Sequence, residues 1–264
     1  MLVHEEPAEG EEEPDGGKGT QHNHLLGLHR LQPAVVAVCG VVPRVDRRST
    51  PASPSDGLSR AAAWGGVVGP VAFAGAWLAG GILRSGYDPV EQAISRLAET
   101  GSSTQALMTA GFAGFSVGVL CAAPALARHV SRPVGLAAAV TAVATAGVAL
   151  TPLHGDAVNT AHRVLAVTGY ISLSAVPLLA APSLAQRGLS RAALASAITA
   201  AVGAAVLAAT ATGWAPGLLQ RTGLTIGHTW LAAASAAVAT GRLAHSTTRH
   251  RHIAPVGDQN AVKT

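Results

Sequence analysis

Beyond residue 60 the chain alternates between apolar runs and short polar connections. The runs are Ala61 to Leu83, Gln105 to Ala127, Val134 to Leu150, Val164 to Ala185, Ala192 to Thr212 and Leu224 to Ala244. Crossing a bilayer as an α-helix takes about 20 predominantly apolar residues, and each run is long enough, the third being the shortest. Alanine adds little to insertion, so Val, Leu, Ile and Phe carry it. The third, fifth and sixth runs hold the fewest of these, and five spans is the alternative count. The pattern predicts an all-α, polytopic membrane helix bundle of about six transmembrane helices. Pro70 and Pro177 fall inside their runs, where a membrane helix tolerates them with a kink. Gly65 with Gly69, and Gly114 with Gly118, have the GxxxG spacing that lets two helices approach closely.

Polar stretches flank the runs. Residues 1–60 begin with an acidic run and are rich in Pro, Gly and Ser, so a disordered N-terminal tail is expected and not a secretory leader. The alternative is a start codon downstream of Met1. Residues 245–264 are expected to form a second disordered tail, leaving 61–244 as the membrane domain. In the first connection, Asp88 is placed to cap a helix with Pro89 at its first position. Val90, Ile94 and Leu97 would share one face, and Gly101 would end it. This predicts a short amphipathic helix lying on the outer membrane surface.

Charge supports the membrane assignment and gives it an orientation. Only 12% of residues are charged, about half the usual share for a soluble domain, too few to coat a water-exposed surface. Clustered basic residues with interleaved aromatics are missing, which excludes a nucleic-acid partner; the expected partner is the lipid bilayer. Arg60, Arg128, Arg132, Arg187, Arg191 and Arg242 fall in alternate connections or at the ends of the membrane domain. Asp88, Glu91, Glu99 and Asp156 fall in the others. The positive-inside rule then places both termini in the cytoplasm and the acidic connections outside, in a plasma membrane. Trp64, Trp77, Trp214 and Trp230 lie towards run ends and read as interfacial anchors.

Candidate chemistry gathers on the acidic side. His154, Asp156 and His162 lie in the second outer connection, and His228 near the outer end of the last run is an ionisable group placed within a span. With Arg96 they are expected to form one polar cluster, Arg96 pairing with Asp156. The same residues admit a plainer reading, in which Asp88 and Asp156 are helix caps and the histidines sit at the interface. No cofactor motif is present. A divalent metal is the one cofactor these residues could hold, His154, His162 and Asp156 supplying ligands with His228 as a third nitrogen, although the spacing matches no tight zinc motif.

Gly86-Tyr87-Asp88-Pro89 leading into Ala93-Ile94-Ser95-Arg96-Leu97, then Thr151-Pro152 with Asp156 and His162, then Gly217-Leu218-Leu219-Gln220-Arg221, together resemble domain-of-unknown-function family 998. The resemblance covers roughly Ala61 to Ala244 and implies a prokaryotic multi-spanning membrane protein with a six-span bundle. Arg96 stands where that family usually has an acid, so no acidic role is carried to it.

Two functions from different classes fit. One is a non-enzymatic structural, sensory or accessory membrane protein. The other is a membrane-embedded hydrolase or transferase acting on lipid-like substrates at the outer leaflet, with the histidines moving protons or binding metal. A permease fits less well, because no run carries a midplane acid or arginine. Single cysteines beside Arg128 and Arg187 are expected to resist an impermeant thiol reagent in intact cells, while one at Ser102 labels. Equal labelling of the two sets would remove the assigned orientation.

Overall fold

The computed structural model describes residues 54–154 and 160–243, over which the chain is all-α. Most of both expected tails and Asp156 lie outside the described residues. Helix α1 (Pro54–Ala63) leads almost directly into α2 (Gly65–Leu83). Then follow α3 (Gln105–His129), α4 (Arg132–Leu150), α5 (Thr160–Gln186), α6 (Ser190–Ala209) and α7 (Pro216–Ala239). Short 3₁₀ segments occupy Ile94–Ala98, after α2, and Thr210–Thr212, after α6.

Among the described residues, five helical stretches are long and apolar enough to cross a membrane: Asp56–Leu83, α3, α4, α5 and Ser190–Thr212. The chain is therefore a multi-pass integral membrane protein. Helix α7 has comparable length but is not among the five, since Gln220, Arg221 and His228 dilute its hydropathy. Successive helices from α2 to α7 pack on one another, and α7 returns against α2 while also touching α3 and α5. The side chains turned outward, such as Val71, Ile82, Leu136, Val143 and Ile171, are apolar and exposed, as a hydrocarbon solvent requires.

Close approach of α2 and α3 depends on the GxxxG glycines. A Cβ on Gly118 would sit 2.9 Å from Gly69 Cα and would also press on the carbonyl oxygen of Gly65. Gly114, on the same motif, would meet only Ala72 Cβ at 3.5 Å, an ordinary contact. At the lower end of the bundle, arginines expected there on charge grounds also close helix ends. Arg187 donates to the carbonyls of His129 (2.7 Å) and Val130 (3.1 Å), and Arg60 to that of Ala239 (3.2 Å). These satisfy carbonyls that the last turn of a helix leaves without intrahelical donors.

Several boundaries differ from expectation. Helix begins at Pro54 instead of Ala61, and the last helix begins at Pro216 instead of Leu224. The outer amphipathic helix is also different. Asp88 Oδ1 does accept the N–H groups of Val90 (2.8 Å) and Glu91 (3.3 Å), but it caps a turn. Helical structure in this connection is the 3₁₀ segment Ile94–Ala98, whose Ile94, Ser95, Leu97 and Ala98 are buried in the end of the bundle and do not lie on a membrane surface. Carbonyls that a longer helix would have paired within itself, those of Pro89, Val90 and Gln92, are taken by α7.

Gly118→Ala is expected to destabilise the protein by about 1–3 kcal/mol, the usual effect of overpacking. Gly114→Ala is expected to be neutral or to gain up to about 1 kcal/mol from helix propensity. Unfolding in detergent followed by circular dichroism separates the two.

Candidate functional site

The site is assembled where the α2–α3 connection meets the first turns of α7. The chain reaches α7 through left-handed residues at Gly213 (φ 78°) and Ala215 (φ 43°), and Pro216 then occupies the start of the helix. Near it, the N–H of Leu218 donates to the Val90 carbonyl at 2.9 Å, so the α2–α3 connection satisfies a donor that the helix itself cannot. Gly217 makes the contact close. A Cβ there would stand 2.8 Å from the Pro89 carbonyl oxygen and nearer still to that of Gln92.

One turn further on, Arg221 is buried and holds the connection in place. Its Nη1 donates to the carbonyls of Pro89 (2.6 Å), Gln92 (3.0 Å) and Gly217 (2.9 Å), and its Nη2 to the Tyr87 hydroxyl. The guanidinium also lies 5.4 Å from the ring centre of Trp77 and 5.3 Å from that of Tyr87, within cation–π range. Among the described residues no carboxylate pairs with it; carbonyl dipoles and ring faces compensate its charge. Burial pushes the Tyr87 phenol above its ordinary value, with Arg221 opposing the shift. Trp77, expected as an interfacial anchor, is thus part of this clasp. Trp230, likewise, donates to Ser196 Oγ at 2.9 Å between α7 and α6.

Neighbouring Gln220 extends the clasp into a cavity. Its Oε1 accepts the N–H of Ile94 at 2.8 Å, and its Nε2 donates to the Tyr170 hydroxyl on α5. The cavity beside it has a volume of about 740 Å³ and lies between the α2–α3 connection and helices α2, α3, α4, α5 and α7. Phe73, Phe112, Phe115 and Leu173 line its apolar part, whereas Arg84, Glu91, Arg96, Glu99 and Arg163 line its polar part. Glu91 and Arg163 are exposed, so the polar part reaches the protein surface. Glu99 links two of the arginines: it pairs with Arg84 at 2.8 Å and with Arg96 at 3.3 Å. The hydrogen bond from Arg84 holds its carboxyl below the usual carboxylate range.

The residues singled out in the sequence divide. Arg96, His162 and His228 all line this cavity. Thr151's carbonyl lies 2.7 Å from His162 Nδ1, and because a carbonyl only accepts, Nδ1 carries the proton. His228 is buried with its ring edge-on to Phe73 (centroids 5.3 Å apart) and tilted against Phe115 (4.6 Å). His154 stands apart: it is exposed, does not line the cavity, and its Nε2 lies 3.3 Å from Thr100 Oγ1. Arg96 has Glu99 as a carboxylate partner, while its expected partner Asp156 lies outside the described residues. Among the described residues, no group of three or more His, Cys, Asp or Glu side chains is arranged to hold a metal ion.

The family described as "Protein of unknown function (DUF998)" matches residues 67–237. The chain belongs to this family. The match takes in the cavity and the clasp and stops short of both ends of the chain. No curated protein and no solved structure matches the chain. Within this DUF998 member, sequence reasoning did not single out Tyr87, Tyr170, Gln220 or Arg221 as site residues. A signal was present for three of them, since Tyr87, Gln220 and Arg221 belong to the short motifs that carried the family resemblance. Tyr170 lies in an apolar run with no motif around it.

Arg221→Gln removes the side-chain donor to the Pro89 carbonyl and one of the two to the Gln92 carbonyl, the other being the Tyr87 hydroxyl. It is expected to cost about 3 kcal/mol or more, from the loss of hydrogen bonds to a charged, buried group. Amide exchange in residues 87–98 should accelerate strongly while that in the middle of α3 changes little, which hydrogen-exchange mass spectrometry resolves by peptide.

Proposed function

We propose that this chain is a non-enzymatic sensory or accessory protein of the plasma membrane. Both termini face the cytoplasm, and the cavity binds a small amphipathic molecule from the outer leaflet side. One observation carries the reading: a cavity of about 740 Å³ joins a charged, surface-reaching part to an aromatic and aliphatic interior. Such a volume lies inside the range of small-molecule sites, and a few convergent polar groups over an apolar lining is the usual make-up of one. The non-enzymatic assignment is supported by how the polar side chains are engaged. Arg84 and Arg96 share Glu99, and Gln220 bridges Ile94 and Tyr170. These are positioning contacts, and none couples a nucleophile to a base.

A specific observation favours the second reading, a hydrolase or transferase acting on lipid-like substrates. His162 and His228 line the same cavity, and the Thr151 carbonyl orients the His162 ring as a general base is commonly oriented. The experiment that separates the readings uses the full chain extracted with its native lipids in polymer-bounded discs. Mass spectrometry is expected to find a retained small molecule that stays chemically unchanged on incubation, in both wild type and His162→Ala. Ala166→Trp, which fills the cavity from the α5 wall, should lose it. Time-dependent conversion that stops in His162→Ala would establish the enzyme instead, and wild-type discs whose lipid and small-molecule content matches that of the Ala166→Trp discs would remove the binding reading.

A further inference from the structure

The cavity has a neighbour that faces the membrane. Along the outer side of α5 and α6 runs a second hollow of about 650 Å³, apolar but for Tyr170, Ser174 and Thr210. Exposed Ile171 and Leu178 border it on the lipid side, while α6 presents mainly alanines and leaves it unfilled. Val167, Tyr170 and Thr210 line both hollows, so a single layer of side chains separates the polar-mouthed cavity from the lipid-facing groove. Along α5 the groove runs from Val167 to Leu178. At about 1.5 Å of rise per residue this is roughly 16 Å. One leaflet of a bilayer whose hydrocarbon core is about 30 Å thick has nearly the same depth.

We propose that the occupant is a phospholipid: its phosphate sits at the polar part of the cavity beside Arg84, Arg96 and Arg163, and one acyl chain passes Tyr170 to lie in the α5–α6 groove. Guanidinium groups are the side chains best matched to phosphate oxygens, and all three arginines line the cavity; with Glu99 paired to Arg84 and Arg96 and Glu91 in the same lining, the polar part keeps a positive excess for one phosphate. The groove supplies what the cavity alone does not, a leaflet-deep apolar track open to the lipid phase, so the ligand enters sideways between α5 and α6 and need not leave the membrane. Tyr170 is the partition, held towards the cavity by its hydrogen bond with Gln220. This rests on the binding reading above and assigns its ligand class and route.

The test uses the full chain in nanodiscs containing a phosphatidylcholine with a photoreactive diazirine midway along one acyl chain, diluted in unlabelled phosphatidylcholine. Adducts mapped by mass spectrometry are expected on residues 167–178 and 197–208 at roughly tenfold the level found on the equally lipid-exposed Leu136 and Val143 of α4, a preference of about 1.4 kcal/mol. Ala204→Trp, at an exposed groove position, should bring the groove down to the α4 level, and Ala201→Leu should lower it partway if the tryptophan variant folds poorly. Ala166→Trp should lower it as well, by blocking the headgroup end. Inorganic phosphate at millimolar concentration should leave the labelling unchanged; competition by it would make the ligand a free phosphate and overturn the lipid assignment. Wild-type adducts spread evenly over α4, α5 and α6 would likewise overturn it. Failure of the groove alone is distinguishable from failure of the binding reading: in that case the retained molecule still depends on Ala166 but not on Ala204.

Discussion

A guanidinium buried at the end of a membrane helix bundle has to be solvated by the protein, and the upper end of this structure is organised around that requirement. Arg221 takes carbonyls from Pro89, Gln92 and its own helix, and the Tyr87 hydroxyl. A residue so equipped cannot be removed from water by itself. It brings the α2–α3 connection in with it, and that connection gives up the helical hydrogen bonds it would otherwise have made. The exchange is possible because Gly217 has no side chain to hold the two backbones apart. Once the connection is pinned, Ile94 and Leu97 are buried beneath it, and Glu99 is positioned to join Arg84 and Arg96. The cavity's polar part is therefore a consequence of the clasp.

The lower end uses arginine differently. Arg187 and Arg60 are only part-buried and spend their donors on the terminal carbonyls of α3 and α7. There the charge stays near water, so its desolvation is small and its removal would free a helix end without dismantling a fold. One residue type thus performs two roles according to depth, and the deeper role needs several partners where the shallower needs one or two.

This contrast also explains what the sequence revealed. Helices α2 to α6 coincide closely with the apolar runs, because apolar length is itself the condition for spanning. The start of α7 was hidden for the same reason: hydropathy counts Gln220 and Arg221 as water-seeking, and their partners in the α2–α3 connection lie more than a hundred residues away. Asp88 and Pro89 carry local capping signals that are satisfied in the structure, yet the segment after them follows a tertiary contact that local pattern does not contain. Arg96, His162 and His228 stood out as sparse ionisable groups and line one cavity, whereas His154, just as conspicuous, sits outside it against Thr100. Tyr170 gave no signal, since a tyrosine in an apolar run reads as one more apolar position.

Helix α5 shows why a cavity and a groove can coexist in so small a bundle. On its inner side it faces aromatic residues of α2 and α3, whose rings set a minimum separation that the smaller side chains around them do not fill. On its outer side it faces the alanines of α6, which allow contact at their own positions but leave the space between the larger α5 side chains open. Uniformly large or uniformly small neighbours would have closed one hollow or the other. The asymmetry places Tyr170 on the wall between two spaces of opposite character, one reaching charged groups and one reaching lipid. Its hydroxyl bonds to Gln220, the same side chain that receives the Ile94 N–H. Tyr170 in the wall and Ile94 in the α2–α3 connection thus share one hydrogen-bonding partner, Gln220.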